Sequence, residues 1–481
     1  MIRRVLAFAL IACLPGCAVG PDFVRPAAPA ADRFLPEPLP EHTESAPGRG
    51  GESQRFVERD ELPLQWWTLF NSPALDALVD RAIAANPGVQ SAVAALRAAR
   101  ESTYAQQGVF FPQVSASVSP ARERSADLLS APLASGENPF TLHTAQLSIA
   151  YAPDVFGLNR RAVEALSAQE DYQRFQLDAA YLTLTTNVVV DAIQEASLRG
   201  QIEATRRIVD IETEQVGLMQ RQLELGAIPE ASLVAQQAQL AQAQAALPAL
   251  EKQLGQQRNA LATLVGRLPG EGVQEQFDFA SLSLPPEVPL TLPSKLVDRR
   301  PDVRAAEAQL HAASAQIGVA TANMLPQISL AAGAGSVAEE MSRLFTGSGA
   351  FWSVSASLAQ PLFQGGTLLH RKRAAEAAYD QAAAQYRGVV LAAFQNVADA
   401  LTALQLDARA MSAAARAESL ALSSLDIVRR QYALGDVSYL AVLNAEQAWD
   451  QALIGRIQAQ AGRYADTAAL FQALGGGWTA L

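Results

Sequence analysis

The sequence predicts a mainly α-helical chain with a small transmembrane β part, built from one module used twice. Three observations carry that expectation. Two stretches, Leu158 to Glu224 and Thr367 to Ala433, each contain about 67 residues and no proline. Short segments elsewhere alternate apolar and small polar residues. Residues 72–266 reappear in outline at 295–475.

The long stretches are rich in Ala, Gln, Leu, Glu and Arg, which favour helix. At 1.5 Å per residue each would be ~100 Å long. Ala and Leu recur every three or four positions, a thin apolar stripe suited to close helix–helix packing in coiled-coil style. In 351–361, Trp352, Val354, Ala356 and Leu358 alternate with Ser353, Ser355, Ser357 and Ala359. In 142–151, Ala145, Leu147, Ile149 and Tyr151 alternate with Thr144, Gln146, Ser148 and Ala150. Period two with one apolar and one small polar face signals a strand. Such strands fit either a soluble sandwich or a barrel with its apolar face to lipid.

The duplication is read from matched pairs. RQLELGAIPEASL from Arg221 answers RQYALGDVSYLAVL from Arg430, so that Gly226 and Gly435 lie 209 residues apart. FFPQVSASVS at 110–119 answers MLPQISLAAG at 324–333, and NPGVQSAVAAL from Asn86 answers RPDVRAAEAQL from Arg300; both pairs are offset by 214. A period near 210 is too long for a solenoid unit. Each module reads as a first helix (about 73–109 and 295–323), two strands, a very long helix, a Gly-centred turn and a return helix. Asn71-Ser72-Pro73 supplies a capping residue and a first-turn proline. Residues 120–141 and 336–350 read as loops. LPPEVPLTLP, within 267–294, marks that segment as a non-helical linker.

Composition bounds the rest. The 481 residues are 49% hydrophobic and 18% charged, enough apolar material for a core. A net charge of −11 argues against a nucleic-acid partner. Arg3 and Arg4 precede an apolar run, Val5 to Leu14, too short to span a bilayer but suited to an export signal over 1–16. No later run of 18 apolar residues is present, so no membrane-spanning helix is expected. The only cysteines are Cys13 and Cys17. Removing the signal discards Cys13 and leaves Cys17 first, with no disulfide possible within the chain. LPGC resembles the lipobox of bacterial lipoproteins, which makes Cys17 the expected lipidation site; Ala18 after it resembles outer-membrane sorting. Residues 17–71 are expected to be extended, and 476–481 to form a short tail.

Four strands cannot close a barrel, and an open sheet edge in lipid leaves backbone groups unpaired at several kcal/mol each. Three chains would give twelve strands around a lumen. GCAVGPDFVRP at 16–26, QWWTLFNSPALDALVDRAIAANP at 65–87, YAPDVFG at 151–157, RRPDVRAAEAQL at 299–310, QPLFQGG at 360–366, YALGDVSYLAVLNAEQ at 432–447 and LGGGW at 474–478 together resemble the TolC-like outer-membrane factors, in particular the NodT-type efflux lipoproteins. The resemblance implies a homotrimer in which long antiparallel helices form an α-barrel and four strands per chain form a 12-stranded β-barrel. It implies a passive exit duct for a periplasmic adaptor and an inner-membrane resistance–nodulation–division (RND) pump. Gly226 and Gly435 would then mark the periplasmic tip, with Arg221 and Arg430 five residues before them at the adaptor contact. Asp426 and Asp436 are the candidates for an acidic constriction, against a plain capping or solvated role. Tyr432 and Tyr439 are candidates for holding the tip shut, against simple packing.

His42, His143, His311 and His370 are scattered, with no HExxH pair, Cys/His cluster or Walker A motif, so no metal site, cofactor or enzyme activity is expected. GTLLHRKR from Gly366 is a basic cluster placed near the membrane surface. A duct for type I protein secretion and a non-conducting periplasmic scaffold remain the alternatives at this level.

Overall fold

The computed structural model describes residues 18–58, 63–126 and 136–476. The expected signal peptide, Cys13, Cys17 and the last residues of the tail lie outside them. In chain order the elements are β1 (Arg55–Glu58), α1 (Pro73–Ala85), α2 (Pro87–Gln107), β2 (Gln113–Glu123), β3 (Phe140–Tyr151), α3 (Leu158–Glu224) and α4 (Glu230–Leu264). There follow β4 (Glu287–Leu290), α5 (Pro293–Arg299), α6 (Pro301–Ala322), β5 (Gln327–Ala338), β6 (Ala350–Ala359), α7 (Thr367–Leu434) and α8 (Tyr439–Ala473). The order helix pair, strand pair, long helix, return helix thus occurs twice. The long helices have 67 and 68 residues and both return helices have 35.

Each expected first helix is two helices, because Pro87 and Pro301 interrupt it. A residue before proline is driven out of the α region; Asn86 (φ −65°, ψ 123°) and Arg300 (φ −67°, ψ 122°) are both extended. Each then ties its module together in the same way. Asn86 Nδ2 donates to the Leu264 carbonyl at the end of α4, 2.9 Å away, and Arg300 Nη1 donates to the Ala473 carbonyl at the end of α8, 2.7 Å away. A helix end leaves its last carbonyls without intrahelical donors, so each kink supplies one. Ser72 does sit at the N-cap of α1, but its buried hydroxyl makes no capping bond.

The chain divides into two compact units: residues to Pro26 with Ala95–Gln173 and Ala306–Tyr386, and Ala27–Ala94 with Arg174–Ala305 and Arg387–Leu481. The first unit holds an antiparallel sheet in the order β2-β3-β5-β6. Its strands extend further into the expected loops than the sequence suggested, to Glu123 and Ala338. The register places Val114, Ile149, Ala332 and Val354 in one row and Ala116, Leu147, Ala334 and Trp352 in the next. The opposite face carries Ser115, Ser148, Gly333 and Ser353, then Ser117, Gln146, Gly335 and Phe351. Val114, Val118, Leu147, Trp352, Val354 and Leu358 are exposed. A sheet that shows an apolar band outward, with no core against it, is not a sandwich sheet.

The N-terminal strap belongs to the same unit. Val19 N–H donates to the Phe156 carbonyl, and Arg161 reaches the Val19 carbonyl and the Asp22 carboxylate. Gly20 lies against Gly318 so closely that a Cβ on Gly20 would stand 2.4 Å from the Gly318 Cα. Phe23 stacks on His311 at 4.4 Å. Residues 18–25 are thus docked through these contacts, whereas further along the expected extended segment Trp66–Phe70 forms a short 3-10 helix.

The second unit contains the main core. Trp66, Trp67, Phe70, Phe277, Tyr464 and Phe471 are fully or almost fully buried with the apolar face of α1. The 267–294 linker is non-helical apart from one short 3-10 turn and its last two residues, which begin α5, and its β4 pairs in parallel with β1, a pairing not foreseen from sequence. Helix α7 contains an 18-residue window of mean hydropathy 1.4, apolar enough to cross a membrane by length and composition alone, although no run of that kind was expected. The helix is rich in alanine, and short side chains suit close helix packing.

Arg463 anchors the N-terminal strand region to α8. It is completely buried and donates to the carbonyls of Gly50 and Glu52 and to the Thr43 hydroxyl. Arg463→Ala would strip these buried acceptors of their donor, at a cost of about 3 kcal/mol or more. A clearly lowered thermal-unfolding midpoint is expected, and an unchanged one would contradict this role.

Candidate functional site

The two helix reversals share one backbone solution. Gly226 (φ +71°) donates to the Leu223 carbonyl, and Ala227 donates to the Gln222 carbonyl. Gly435 (φ +82°) donates to Tyr432, and Asp436 donates to Gln431. Both are Schellman closures, whose left-handed residue is normally glycine. No atom lies within 4 Å of where a Cβ would sit on either glycine. Conformation, not space, demands glycine there.

Arg221 and Arg430 stand exposed on the last turns of α3 and α7, and Arg430 Nε bonds the Asp426 carbonyl at 3.1 Å. Each glycine follows a bare leucine: Leu225 is 84% exposed and Leu434 79%. Asp426 and Asp436 are also exposed in the protomer, and their carboxylates make no ion pair or hydrogen bond among the described residues. Tyr432 and Tyr439 do come together, edge to face at 5.3 Å. They pack with Leu425, Val442 and Trp449 in a small cluster that joins α7 to α8.

Tyr439 does more than pack. Its hydroxyl donates to Gln236 Oε1 on α4 at 2.6 Å, which ties the second hairpin to the first. Gln236 Nε2 donates to Gln215 on α3 at 3.1 Å, and Gln215 Nε2 donates to Glu446 on α8 at 2.7 Å. Arg429 Nη2 completes the chain on Glu446 at 2.8 Å. One network therefore spans α3, α4, α7 and α8. Burial and the nearby Glu446 carboxylate push the Tyr439 hydroxyl well above its ordinary range, so it stays a donor.

Behind this network lies an acidic cluster that sequence reasoning missed. Glu212 on α3 is 3% exposed, and both of its carboxylate oxygens lack a hydrogen-bond partner among the described residues. Burial, then the neighbouring Asp450 and Glu446, push Glu212 up to about 7. Burial and Glu446 likewise push Asp450 up to about 7, against the opposing pull of Arg429. The sequence held one signal: Glu446 shares a helix face with Val442, Leu443 and Trp449, where a charge is out of place. Its partners come from other helices, hundreds of positions away.

Residues 78–267 and 292–476 match the profile of the outer membrane efflux protein family. The pyoverdine export outer membrane protein OpmQ of Pseudomonas putida is 30% identical over 92% of this chain and 94% of its own length. Outer membrane protein OprJ of Pseudomonas aeruginosa is 30% identical over 98% and 96%. Among solved structures, the outer-membrane channel OprN superposes with a TM-score of 0.85 at 27% identity, covering 96% of this chain and all of that one. The open-state MtrE outer-membrane channel of Neisseria gonorrhoeae gives 0.80 at 25%, covering 96% and 98%.

The cluster has a pH consequence. Glu212 and Asp450 bind protons more tightly when folded than when unfolded, so the folded form is favoured while they are neutral. That advantage is present at acid pH and is lost as pH rises from about 4.5 through 7. The protein is expected to unfold at a lower temperature at pH 8 than at pH 6. Glu212→Gln should shrink that difference by about 1 kcal/mol, because most of the penalty has already accrued below pH 6; identical pH profiles of the variant and the parent would disprove the assignment.

Proposed function

Because this chain belongs to the outer membrane efflux protein family and is an efflux channel of the outer membrane, we propose that three copies close one 12-stranded β-barrel and one α-barrel. The unpaired sheet edge carries this reading. Strands β2 and β6 each have a neighbour on one side within the protomer, while the sheet shows an apolar band to its surroundings. In hydrocarbon an unpaired edge costs several kcal/mol per group, and edge pairing of β6 with β2 of the next copy removes it. The opposite face of Ser, Gln and Gly then lines a water-filled lumen. The assembly works as a passive duct; the family is one of channels and not of enzymes.

The two reversals are the docking end for a periplasmic adaptor serving an RND pump. Leu225 and Leu434 supply the apolar contact, with Arg221 and Arg430 one turn behind. Asp426 and Asp436, each repeated three times around the axis, narrow the closed tip and attract cations. Tyr439 holds the second hairpin against the first, through Gln236 and Gln215. Cys17 is acylated and sorts the chain to the outer membrane, and the docked strap from Ala18 to Arg25 follows it. The cargo is set by the pump: relatives of comparable identity are named for cargoes as unlike as pyoverdine and toluene.

Native mass spectrometry from detergent should give three protomers; a stable monomer or dimer that still conducts would end the trimer reading. In planar bilayers, Tyr439→Phe should raise the open probability several-fold, since it removes one bond of about 1 kcal/mol. An unchanged open probability would reduce Tyr439 to packing. Cys17→Ser should abolish incorporation of labelled palmitate, and persistent labelling would refute acylation there.

A further inference from the structure

Helices α3, α4 and α8 line an open groove of about 350 Å3. Glu212 and Ile208 line it from α3, Gln242 from α4, and Asp450, Gln451 and Ile454 from α8. No lysine or arginine lines it. Glu212 points a nearly completely buried carboxylate at this space with neither oxygen bonded among the described residues. The contrast on the same helix is Glu195, fully buried but held by Arg199 at 2.8 Å and Arg258 at 2.7 Å. A buried carboxylate needs a proton, a hydrogen-bonded cation or a metal. Glu195 has its cations; Glu212 lines the groove with a second carboxylate, Asp450, beside it.

We propose that this groove is a binding site for a small organic cation, a primary alkylammonium or a short diamine, with its ammonium between Glu212 and Asp450. Its volume sits at the low end of the roughly 300–1,000 Å3 typical of small-molecule sites. An ammonium has three donors and no acceptor, which suits two carboxylates and the amide oxygens of Gln242 and Gln451. Ile208, Ile454 and Ala246 offer apolar surface to the alkyl part. A hard metal ion asks for six or more oxygens at fixed distances, and no group of three metal-ligating side chains is found among the described residues.

The facing groups fix the pH dependence. Helix α3 contributes Glu212, α8 contributes Glu446, Asp450 and Tyr439, α7 contributes Arg429 through its bond to Glu446, and α4 contributes the amides of Gln236, Gln239 and Gln242. Protons compete with the cation, since both acids titrate near 7. An occupant bridges α3 of the first hairpin to α8 of the second, so binding stiffens the seam between hairpins. The site lies within one protomer and does not rest on the trimer or on conduction.

The test is calorimetric titration of the purified full chain in detergent with 1,4-diaminobutane, at constant ionic strength. Saturable binding is expected at pH 8. It should weaken about tenfold at pH 6, where a carboxyl that titrates near 7 is about one-tenth ionised. Glu212→Gln and, separately, Asp450→Asn should weaken it at least as much at pH 8, and either variant alone suffices if the other does not fold. No saturable heat at pH 8, equal affinity at both pH values, or equal affinity in a folded variant would each overturn the proposal. Displacement by equimolar Mg2+ would also overturn it, by assigning the site to a metal.

Discussion

Every peptide group in hydrocarbon must find its hydrogen bond inside the protein, because the lipid offers none. That constraint governs the sheet of this chain. Four strands pair in one antiparallel order, yet both outer strands keep a bare edge among the described residues. Their side chains alternate so that apolar rows such as Val114-Ile149-Ala332-Val354 stand on one face and serine rows on the other. The pattern is coherent only with apolar surroundings on one side and water on the other. The proposed pairing of β6 with β2 of a further copy would satisfy those edges.

The helices solve the same backbone problem locally, which is why they can run so far. Over 67 residues each N–H finds the carbonyl four residues back, and difficulty arises only at the ends. There the duplicated module reuses two devices. A glycine at positive φ closes each long helix at the reversal. A polar side chain one residue before a kink proline, Asn86 or Arg300, reaches the last carbonyl of the return helix. The residue types differ between the copies while the bond is kept, so the duplication is more faithful in its hydrogen bonds than in its letters.

Polarity within the helical hairpins is used selectively. Glu195 and Arg463 are buried charges with partners that fit them. The network of Tyr439, Gln236, Gln215, Glu446 and Arg429 links four helices through hydrogen bonds that are individually modest. Glu212 departs from the pattern, since it is buried beside other carboxylates with no bonded partner among the described residues. Burial of such a residue makes the packing there sensitive to protons.

Local physics made much of this legible without coordinates. Proline-free runs of helix formers, period-two segments and paired glycines each report on a backbone a few residues long, and the sequence determined those elements and their order. The resemblance of QPLFQGG, RRPDVRAAEAQL and their companions pointed to the family. The breaks at Pro87 and Pro301 could have been read from the same rule that governs any residue before proline. The parallel β1–β4 pair could not, because its strands are 232 positions apart in register and neither alternates clearly. The acidic cluster was hidden for the same reason: Glu212 and Asp450 look solvated in a helix read by itself, and the apolar neighbours of Glu446 do not name its partners. Only packing of α3 against α8 removes their water, and desolvation is a property of neighbours that the linear chain does not name.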